Sequence, residues 1–392
     1  MRDVAVIGLG MHPWGKFKEK SVNELARVAV EAALEDAGVQ WKEIEAVTAA
    51  SSRFSGGRGW GLNGNDFVDD MGQTGIPVYN MSAGCAAGAN AFNVGYSLVA
   101  GGMHDIVLVA GAEKLPKGFI QTSGVDDETD VEYLRQLCVG MPGPAFWAAM
   151  VRRRMHEFGT TEEHLAKVAV KARKNGALNP MARFQKEATI EEILGSAMVT
   201  YPLRLFEICP VSDGAAAVVI CSAEAAKRFT TRPVWVGASA VATARFDDGI
   251  PRGLASWAPD TRAYHSEAAI AVSKALDGAG IGPKDLDFVE LQDNTCYYEL
   301  CFPEDWGMCE PGESERLLEA GETTPVGKMP INPSGGFISF GEATTAQGIF
   351  QVVEVATQLR GTAGGRQVPD AKIGMCQTIG LGGNGTAVVL KA

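Results

Sequence analysis

The sequence lacks several features that would mark a secreted, membrane-spanning or zinc-stabilised protein. None of its eight cysteines forms a C-x-x-C pair, which argues against a structural zinc site in this chain. No apolar run is long enough to cross a bilayer, and the first residues, MRDVAVIGLGM, predict a strand and a glycine turn instead of a signal peptide. We therefore expect a cytoplasmic protein, in which disulfides are also uncommon.

Positive charge is scarce in the chain as a whole. The formal net charge of −12 argues against nucleic acid as the main partner. Residues 151–187 reverse this balance, with nine Lys and Arg against four Asp and Glu. Such a stretch suits a small polyanion, for instance a phosphorylated cofactor, although a solvated helix face would have the same composition. The candidate cofactor ligands are Arg152, Arg153, Lys171 and Arg173.

The length of 392 residues predicts two packed units, because it exceeds the size of one ordinary core. An internal repeat supports this prediction. AVEAALEDAGVQWKEIEAV, at 29–47, matches AVSKALDGAGIGPKDLDFV, at 271–289, and each copy predicts an amphipathic helix, a glycine stop and a strand. We predict an α/β protein with halves 1–230 and 231–392, the first of which carries a helical, basic insertion at about 115–210.

A cysteine is the strongest candidate for chemistry. The segment IPVYNMSAGCAAGANAFNVGYSLVAGG predicts a strand, a tight turn, Cys85 and then a helix. The unpaired N–H groups and the dipole of such a helix N-terminus favour the thiolate, which is the nucleophilic form. The small residues Gly84, Ala86, Ala87 and Gly88 would leave room for an acyl group on the sulfur. The alternative is an inert buried cysteine.

A similar strand–turn–helix pattern occurs in the second half, where INPSGGFISFGEATTAQGIF places Gly341-Glu342 at the position of Gly84-Cys85. If the halves pack about a pseudo-twofold axis, Glu342 would point at Cys85. At about 4 Å a carboxylate and a thiolate repel by about 4 kcal/mol at an effective dielectric of 20, so the pair should share one proton. The carboxylate could then act as general base for the thiol. Alternatively, Glu342 caps its own helix.

These motifs together resemble the thiolase superfamily, and in particular its non-decarboxylating, SCP2-thiolase-like branch. The resemblance runs from VAVIGLGMHPWGKF through CAAGANA and HEFGTTEEHLAKVAVKARKNGALNP to SDGAAAVV, INPSGG and GLGGNGTAVVL. It implies duplicated βαβαβαββ halves in a five-layered αβαβα core, a homodimer, and coenzyme A thioesters as substrates. Cys85 matches the cysteine that becomes acylated in this family.

The chain departs from the family at the positions of its acid/base residues. Gly341-Glu342-Ala343 stands where a Gly-His-Pro is usual, and Ile379 stands where a second cysteine or histidine is usual. The segment 292–295, Gln-Asp-Asn-Thr, replaces the His-Asp-Cys-Phe signature of the branch. None of the five histidines falls at these places, so a mechanism that needs an imidazole does not transfer to this chain.

Other polar groups near these motifs are candidates for stabilising negative charge. The backbone N–H of Cys85, with one from the final glycine turn, would hold a tetrahedral oxyanion, and Asn294 or Gln292 would hold an enolate oxygen. Ordinary loop hydrogen bonding is the alternative for these groups. Cys296 and Cys376 are expected to pack in the core, with a role as second acid left open. The residues proposed in the glycine turn are Gly380, Leu381 and Gly382.

The leading hypothesis is thiolytic cleavage of a β-ketoacyl-CoA through an acyl-Cys85 intermediate. Within the branch, the sequence resembles the thiolase subunits of benzoylsuccinyl-CoA thiolases from anaerobic toluene degradation, which implies benzoyl-CoA and succinyl-CoA as products. The resemblance also implies a heterotetramer with a small partner subunit that carries a zinc ribbon and an OB-fold domain. Zinc is then expected only in that partner, and coenzyme A acts as a substrate.

Two other functions remain open. A thiolase-fold retro-aldolase would act on an acyl-CoA with the same kind of partner, but relatives with that activity dispense with the nucleophilic cysteine, so Cys85 weighs against it. A non-catalytic subunit that binds acyl-CoA or serves as a scaffold would account for the missing histidine.

Overall fold

The computed structural model describes residues 1–51, 61–115, 143–230, 232–245, 266–380 and 383–392. Strands and helices alternate along these residues, and the predicted α/β class is confirmed. The predicted insertion at about 115–210 lies partly outside the described residues. Its limits and the boundary between the two halves stay predictions.

Eleven strands occur in the described residues. They are β1 (Val4–Gly15), β2 (Ala46–Ala50), β3 (Val78–Met81), β4 (Ile106–Lys114), β5 (Met198–Thr200), β6 (Leu203–Arg204), β7 (Asp213–Ser222), β8 (Val234–Ala242), β9 (Phe288–Glu290), β10 (Ile373–Gly380) and β11 (Asn384–Lys391). Nine of them form one mixed sheet in the order β3-β2-β4-β7-β1-β8-β11-β10-β9, and β5 pairs with β6. Antiparallel pairing of β1 with β8 joins the strands of the two predicted halves.

Twelve α-helices occur in the described residues. They are α1 (Val22–Ala37), α2 (Gly64–Met71), α3 (Ala87–Ala100), α4 (Gly143–Phe158), α5 (Glu162–Ala177), α6 (Ile190–Leu194), α7 (Ala223–Ala226), α8 (Glu267–Ala279), α9 (Cys296–Asp305), α10 (Ser314–Glu319), α11 (Gly336–Phe340) and α12 (Gln347–Leu359). Within this part of the chain, no helix has both the length and the apolar character that a membrane span needs.

The helices and strands are stacked in five layers. The central helices α3 and α12 each contact strands of both halves and share one core with them, including Phe92 and Phe350. Alternate residues of β1 face opposite sides: Val4 and Val6 face the central helices, while the residues between them face α1. On the strands of the second half, α8 covers the outer side in the same way. The order is therefore helix, strands of the first half, central helices, strands of the second half, helix.

The internal repeat forms the same local structure in both halves. The helices α1 and α8 each end at a glycine in the left-handed region, Gly38 (φ 65°) and Gly280 (φ 68°). A 3₁₀ turn follows each glycine, and then a strand, β2 in the first half and β9 in the second. Both strands pair in parallel with neighbours, β2 with β3 and β4, and β9 with β10. The repeat therefore builds equivalent helix–strand units on both sides of the molecule.

Close packing of α3 against the start of α12 brings the two halves together at the candidate site. A Cβ atom at Gly88 would lie 2.7 Å from the carbonyl oxygen of Thr345, and one at Gly348 would lie 2.6 Å from the backbone nitrogen of Ala89. Both contacts are too short for a side chain. Gly88 is therefore needed for backbone packing, and the room that we expected there for an acyl group is taken by Thr345.

Candidate active site

The structure places Cys85 and Glu342 in direct contact. Cys85 lies in the turn between β3 and α3, two residues before that helix begins, and follows Gly84 in the left-handed region (φ 56°). Glu342 lies in the loop between α11 and α12. The Cys85 thiol donates a hydrogen bond to Glu342 Oε1, with 3.1 Å between the two atoms. The candidate nucleophile is thus within proton-transfer distance of a carboxylate.

The Glu342 backbone is fixed by a short bridge to the segment before β7. Its N–H donates to the Pro210 carbonyl at 2.7 Å, and the Ser212 N–H donates to the Glu342 carbonyl at 2.9 Å. The preceding Gly341 has φ 81°, and a Cβ atom there would lie 2.2 Å from Ser212 Oγ. Only glycine fits this position, and it sets the direction in which the Glu342 side chain leaves the backbone.

Two further side chains surround the carboxylate of Glu342. Asn294 donates from Nδ2 to Glu342 Oε1 at 2.9 Å and to the Cys209 sulfur at 3.6 Å. The Cys209 thiol lies 3.9 Å from the other carboxylate oxygen, Oε2. The carboxylate is therefore buried among hydrogen-bond donors, with a thiol on each side.

The Asn294 amide is itself held in place. Gln292 donates from Nε2 to Asn294 Oδ1, and Gln292 Oε1 accepts from the Ile379 N–H at 2.6 Å. Both amide donors of Asn294 are used within the protein, so the structure gives it a role in orienting Glu342. This differs from the expected role of Asn294 as a donor to an enolate oxygen, because both of its N–H groups already have partners. Gln292 Nε2 donates to Asn294 with one of its two N–H groups, so the enolate role of Gln292 stays a prediction.

Burial controls the protonation of the pair. It raises the pKa of Glu342, and the hydrogen bonds from Cys85 and Asn294 oppose that shift. Burial and the neighbouring Glu342 carboxylate raise the pKa of Cys85 well above its ordinary value. The expected bias of Cys85 toward thiolate is therefore absent at rest, and the pair holds its proton on sulfur. Glu342 is the carboxylate that can remove it.

The final glycine turn packs directly against the Cys85 turn. A Cβ atom at Gly380 would lie 2.0 Å from the Ala83 carbonyl oxygen and 3.0 Å from the Ala86 backbone nitrogen. The next two candidates, Leu381 and Gly382, lie outside the described residues, so the proposed oxyanion donors stay a prediction. Gly380 nevertheless brings this turn to the nucleophile.

Cys296 and Cys376 are both buried in apolar surroundings. Cys296 begins α9 and packs in a cluster with Leu165 and Ile338. Cys376 lies in β10 and packs in the central core. Burial raises the pKa of both thiols well above the ordinary value, which makes them poor acids, so both fit a packing role.

The four candidate cofactor ligands have different surroundings in the structure. Lys171 is buried, forms an ion pair with Glu299, and donates to the carbonyls of Thr323 and Ile331 at 3.1 and 3.0 Å. Its three donors are all used, so the structure argues against Lys171 as a cofactor ligand. Arg152 is exposed, and Arg153 forms an ion pair with Glu157 at 2.8 Å.

Arg173, the fourth candidate, is buried and stacks on Phe184. Burial lowers its pKa to about 10.

Two residues of the site were missed in the sequence. Cys209 lies three residues before the SDGAAAVV motif, and this closeness to a family motif was the available signal. Gln347, at the start of α12, donates to the Cys85 carbonyl at 3.3 Å and ties the nucleophile turn to the second half. Within the described residues, no group of His, Cys, Asp and Glu is arranged to hold a metal ion.

Comparison with known proteins places this geometry in a family. The model of "Thiolase, N-terminal domain" matches residues 4–201, and that of "Thiolase C-terminal domain-like" matches residues 256–391. An acetyl-CoA acetyltransferase from Methanothermobacter thermautotrophicus is 39% identical over 99% of this chain and 99% of its own length. Sterol carrier protein 2 from Gallus gallus is 33% identical over 97% of this chain and 70% of its own length.

A solved structure shares the whole fold. A chain of an Ltp2-ChsH2(DUF35) aldolase superposes with a TM-score of 0.83 at 26% identity, covering 100% of this chain and 98% of that one. The predicted thiolase fold is thereby confirmed. The two domain matches and the sterol carrier relatives show that this chain belongs to the thiolase superfamily, in its SCP2-thiolase-like branch.

Proposed function

We propose that the chain is a thiolase that cleaves a β-ketoacyl-CoA through an acyl-Cys85 intermediate, with Glu342 as general base. Its relatives support an acyltransferase, as the name of the acetyl-CoA acetyltransferase states for that protein. The observation that carries the proposal is the 3.1 Å contact between the Cys85 sulfur and Glu342 Oε1. A thiol becomes an effective nucleophile when a base within hydrogen-bond reach removes its proton.

In the first half of the reaction one proton moves, and Cys85 and Glu342 handle it between them. Glu342 takes the Cys85 proton on Oε1 as the sulfur attacks the keto carbon of the substrate. The bond between that carbon and the α-carbon then breaks, which leaves an acyl group on Cys85 and the enolate of a coenzyme A thioester. Protonated Glu342 returns its proton to the enolate carbon, and the first product leaves.

The second half reverses the roles of the groups. The thiol of coenzyme A gives its proton to Glu342 and attacks the acyl carbon on Cys85. The tetrahedral intermediate collapses with Cys85 as leaving group, and the Glu342 proton returns to the Cys85 sulfur. One carboxylate therefore serves both steps, which explains how the reaction proceeds without the histidine that the family usually has.

For the substrate we propose benzoylsuccinyl-CoA, with benzoyl-CoA and succinyl-CoA as products. The proposal is supported by the resemblance to thiolases of anaerobic toluene degradation and by the glutamate in place of the usual histidine. The most obvious competitor is acetoacetyl-CoA, because the relative with 39% identity is named for acetyl transfer. A substrate panel should therefore contain both compounds.

For the partner we propose a small subunit with a zinc ribbon and an OB-fold domain, bound to a homodimer of this chain. The name of the structural neighbour, an Ltp2-ChsH2(DUF35) complex, supports a partner of the DUF35 class. Any zinc would then belong to that subunit, while coenzyme A binds to this chain as a substrate.

The same neighbour favours a second candidate function. It is named an aldolase and superposes at a TM-score of 0.83, so retro-aldol cleavage of a β-hydroxyacyl-CoA is the alternative. Retro-aldol cleavage releases an aldehyde or ketone and needs neither an acyl-enzyme nor free coenzyme A. Dependence of the reaction on coenzyme A therefore separates the two functions.

The test is to incubate the protein, alone and with a zinc-ribbon/OB-fold subunit, with benzoylsuccinyl-CoA, with acetoacetyl-CoA and, for the aldolase alternative, with a β-hydroxyacyl-CoA. Intact and peptide mass spectrometry then locate any acyl group. The matched variants are Cys85→Ala and Cys309→Ala, because Cys309 is the other partly exposed cysteine of the described residues. We expect an acyl mass on the Cys85 peptide that coenzyme A discharges, that is lost in Cys85→Ala and that is kept in Cys309→Ala.

Each other outcome has a definite meaning. A benzoyl group on Cys85 identifies benzoylsuccinyl-CoA, whereas an acetyl group alone identifies acetoacetyl-CoA and rejects the proposed substrate. Cleavage of a β-hydroxyacyl-CoA with unmodified Cys85 and no need for coenzyme A would establish the aldolase alternative. An unmodified Cys85 without turnover of any substrate, even with the partner, would leave a binding role.

A further inference from the structure

Two arginines share one aromatic ring next to the candidate active site. The guanidinium of Arg173, from α5, lies 3.8 Å from the centroid of the Phe184 ring, and that of Arg183 lies 5.0 Å from it. Arg173 also lies 5.6 Å from the Phe206 ring. Aromatic faces stabilise guanidinium groups, but they carry no net charge to neutralise them.

The Arg173 side chain lacks the partner that the other buried arginines have. In the described part of the chain three arginines are buried: Arg154, Arg173 and Arg366. Arg154 forms ion pairs with two glutamates, and Arg366 forms one with Glu354 at 2.9 Å. Arg173 is 9% exposed, forms no ion pair with any described residue, and its Nε has no hydrogen-bond partner. An unpaired buried charge is rare because it is costly.

Arg183 is a second positive charge beside Arg173, and no carboxylate accepts its hydrogen bonds among the described residues. Its Nη1 donates to the Val211 carbonyl at 2.6 Å and to Ser212 Oγ at 3.2 Å, both neutral acceptors. Burial lowers the pKa of Arg183 and the Asp213 carboxylate opposes this shift, but Asp213 is itself paired with Lys16 at 2.8 Å. Burial, with Arg183 as a further cause, lowers the pKa of Arg173 to about 10. Both groups still carry their charge at neutral pH, so two cations lie close together there.

We propose that Arg173 and Arg183 bind an oxyanion group, a carboxylate or a phosphate, of the thioester substrate. The planar guanidinium matches both groups with paired N–H donors. Arg183 contacts Val211, whose backbone forms a bridge with Glu342, so the anion would lie next to the segment that carries the base. The group has two possible sources: a free carboxylate on the acyl chain, as benzoylsuccinyl-CoA has, or a phosphate of coenzyme A. The assignment to a substrate rests on the proposed function, whereas the binding of an anion does not.

The test is thermal unfolding of the full-length protein with two probes at constant ionic strength. Succinate represents the acyl carboxylate, and adenosine 3′,5′-bisphosphate represents the phosphates of coenzyme A. The variants are Arg173→Met and Arg183→Met, and the matched control is Arg228→Gln. Arg228 also lies over a phenylalanine ring, at 4.6 Å from that of Phe229, but it is exposed and has Glu43 as a partner.

We expect one probe to raise the melting temperature of the wild type and of Arg228→Gln, and this rise to vanish in both methionine variants. A response to succinate assigns the site to the acyl carboxylate, and a response to the bisphosphate assigns it to coenzyme A. Without a probe, Arg173→Met should melt at the same or a higher temperature than the wild type, because it removes an unpaired buried charge. Arg183 is half-buried, so its variant keeps the test valid if Arg173→Met does not fold.

The proposal is overturned if the wild type responds to neither probe, or if the methionine variants respond as the wild type does. Because this measurement needs no turnover, its outcome is independent of whether Cys85 becomes acylated. A kinetic comparison then follows the assignment. If the site binds the acyl carboxylate, Arg173→Met should raise the KM for benzoylsuccinyl-CoA by about tenfold or more while the KM for acetoacetyl-CoA stays unchanged.

Discussion

Asn294 and Cys85 donate hydrogen bonds to the same carboxylate oxygen, Oε1 of Glu342, at 2.9 and 3.1 Å. The oxygen that receives the Cys85 proton is thus the one that Asn294 stabilises in its charged form. A hydrogen bond to the charged form lowers the pKa of a carboxyl group, whereas burial raises it. Asn294 therefore limits how far burial raises the pKa of Glu342, and it keeps Glu342 available as a base.

Replacing Asn294 with alanine should move the acidic limb of the pH–rate profile to higher pH. Without this donor the pKa of Glu342 rises further, so its ionised form is populated only in less acidic solution. The measurement is kcat/KM for acyl transfer across the acidic range. As control, Asn23→Ala removes an asparagine that donates to the carboxylate of Asp70 at the surface, and it should leave the limb in place. An unshifted limb in Asn294→Ala would contradict this role.

Glu342→Gln should lower the rate of Cys85 acylation by about 10²- to 10⁴-fold, the usual contribution of a general base. The same change should make Cys85 easier to ionise, because it removes the negative charge that raises the pKa of the thiol. Alkylation by iodoacetamide, followed against pH, should therefore show a lower apparent pKa in the variant than in the wild type. Slower catalysis together with easier ionisation is a combination that a merely misfolded protein would not produce.

Two controls accompany the Glu342→Gln experiment. The melting temperature should be unchanged or higher, because a neutral amide avoids the cost of a buried charge. Cys309, which is also partly exposed, should keep its alkylation profile. An unaltered profile for Cys85 would show that Glu342 does not act on the thiol.

The sequence allowed the central pair to be predicted because both residues belong to a duplicated pattern. The similarity of the two strand–turn–helix segments linked Glu342 to Cys85 across 257 positions, a distance at which no local motif gives information. The five-layered fold followed from the family resemblance. The helix N-terminus alone favoured the thiolate, but burial and the neighbouring carboxylate raise the pKa of Cys85, in line with the single shared proton expected for the pair.

The other contacts of the site could not be found in this way. Cys209 and Asn294 meet 85 positions apart, and nothing in either segment identifies the other as its partner. The same limit explains why Lys171 was predicted to be a cofactor ligand: it lies in a basic stretch of the sequence. Its partner Glu299 lies 128 residues away, and only the fold brings the two together.

Gly380→Ala should impair the site through its backbone. The added methyl group would lie 2.0 Å from the Ala83 carbonyl oxygen, so the turn that carries Cys85 has to move. We expect a loss of about 1–3 kcal/mol in the free energy of unfolding and a lower acylation rate. The matched control is Gly282→Ala, where the nearest atom would lie 3.6 Å away. Chemical denaturation and acylation kinetics measure both effects, and wild-type behaviour of Gly380→Ala would show that the turn tolerates displacement.

Lys171→Met should destabilise the protein strongly without changing the affinity for coenzyme A. The substitution leaves Glu299 buried without its ion-pair partner, which typically costs about 3–5 kcal/mol. The double variant Lys171→Met/Glu299→Gln should recover much of that loss, because the remaining group is neutral. Denaturation curves of the single and double variants measure the recovery, and the KM for coenzyme A is determined on the double variant. A higher KM with little change in stability would instead make Lys171 a cofactor ligand, against the geometry in which all three of its donors already have partners.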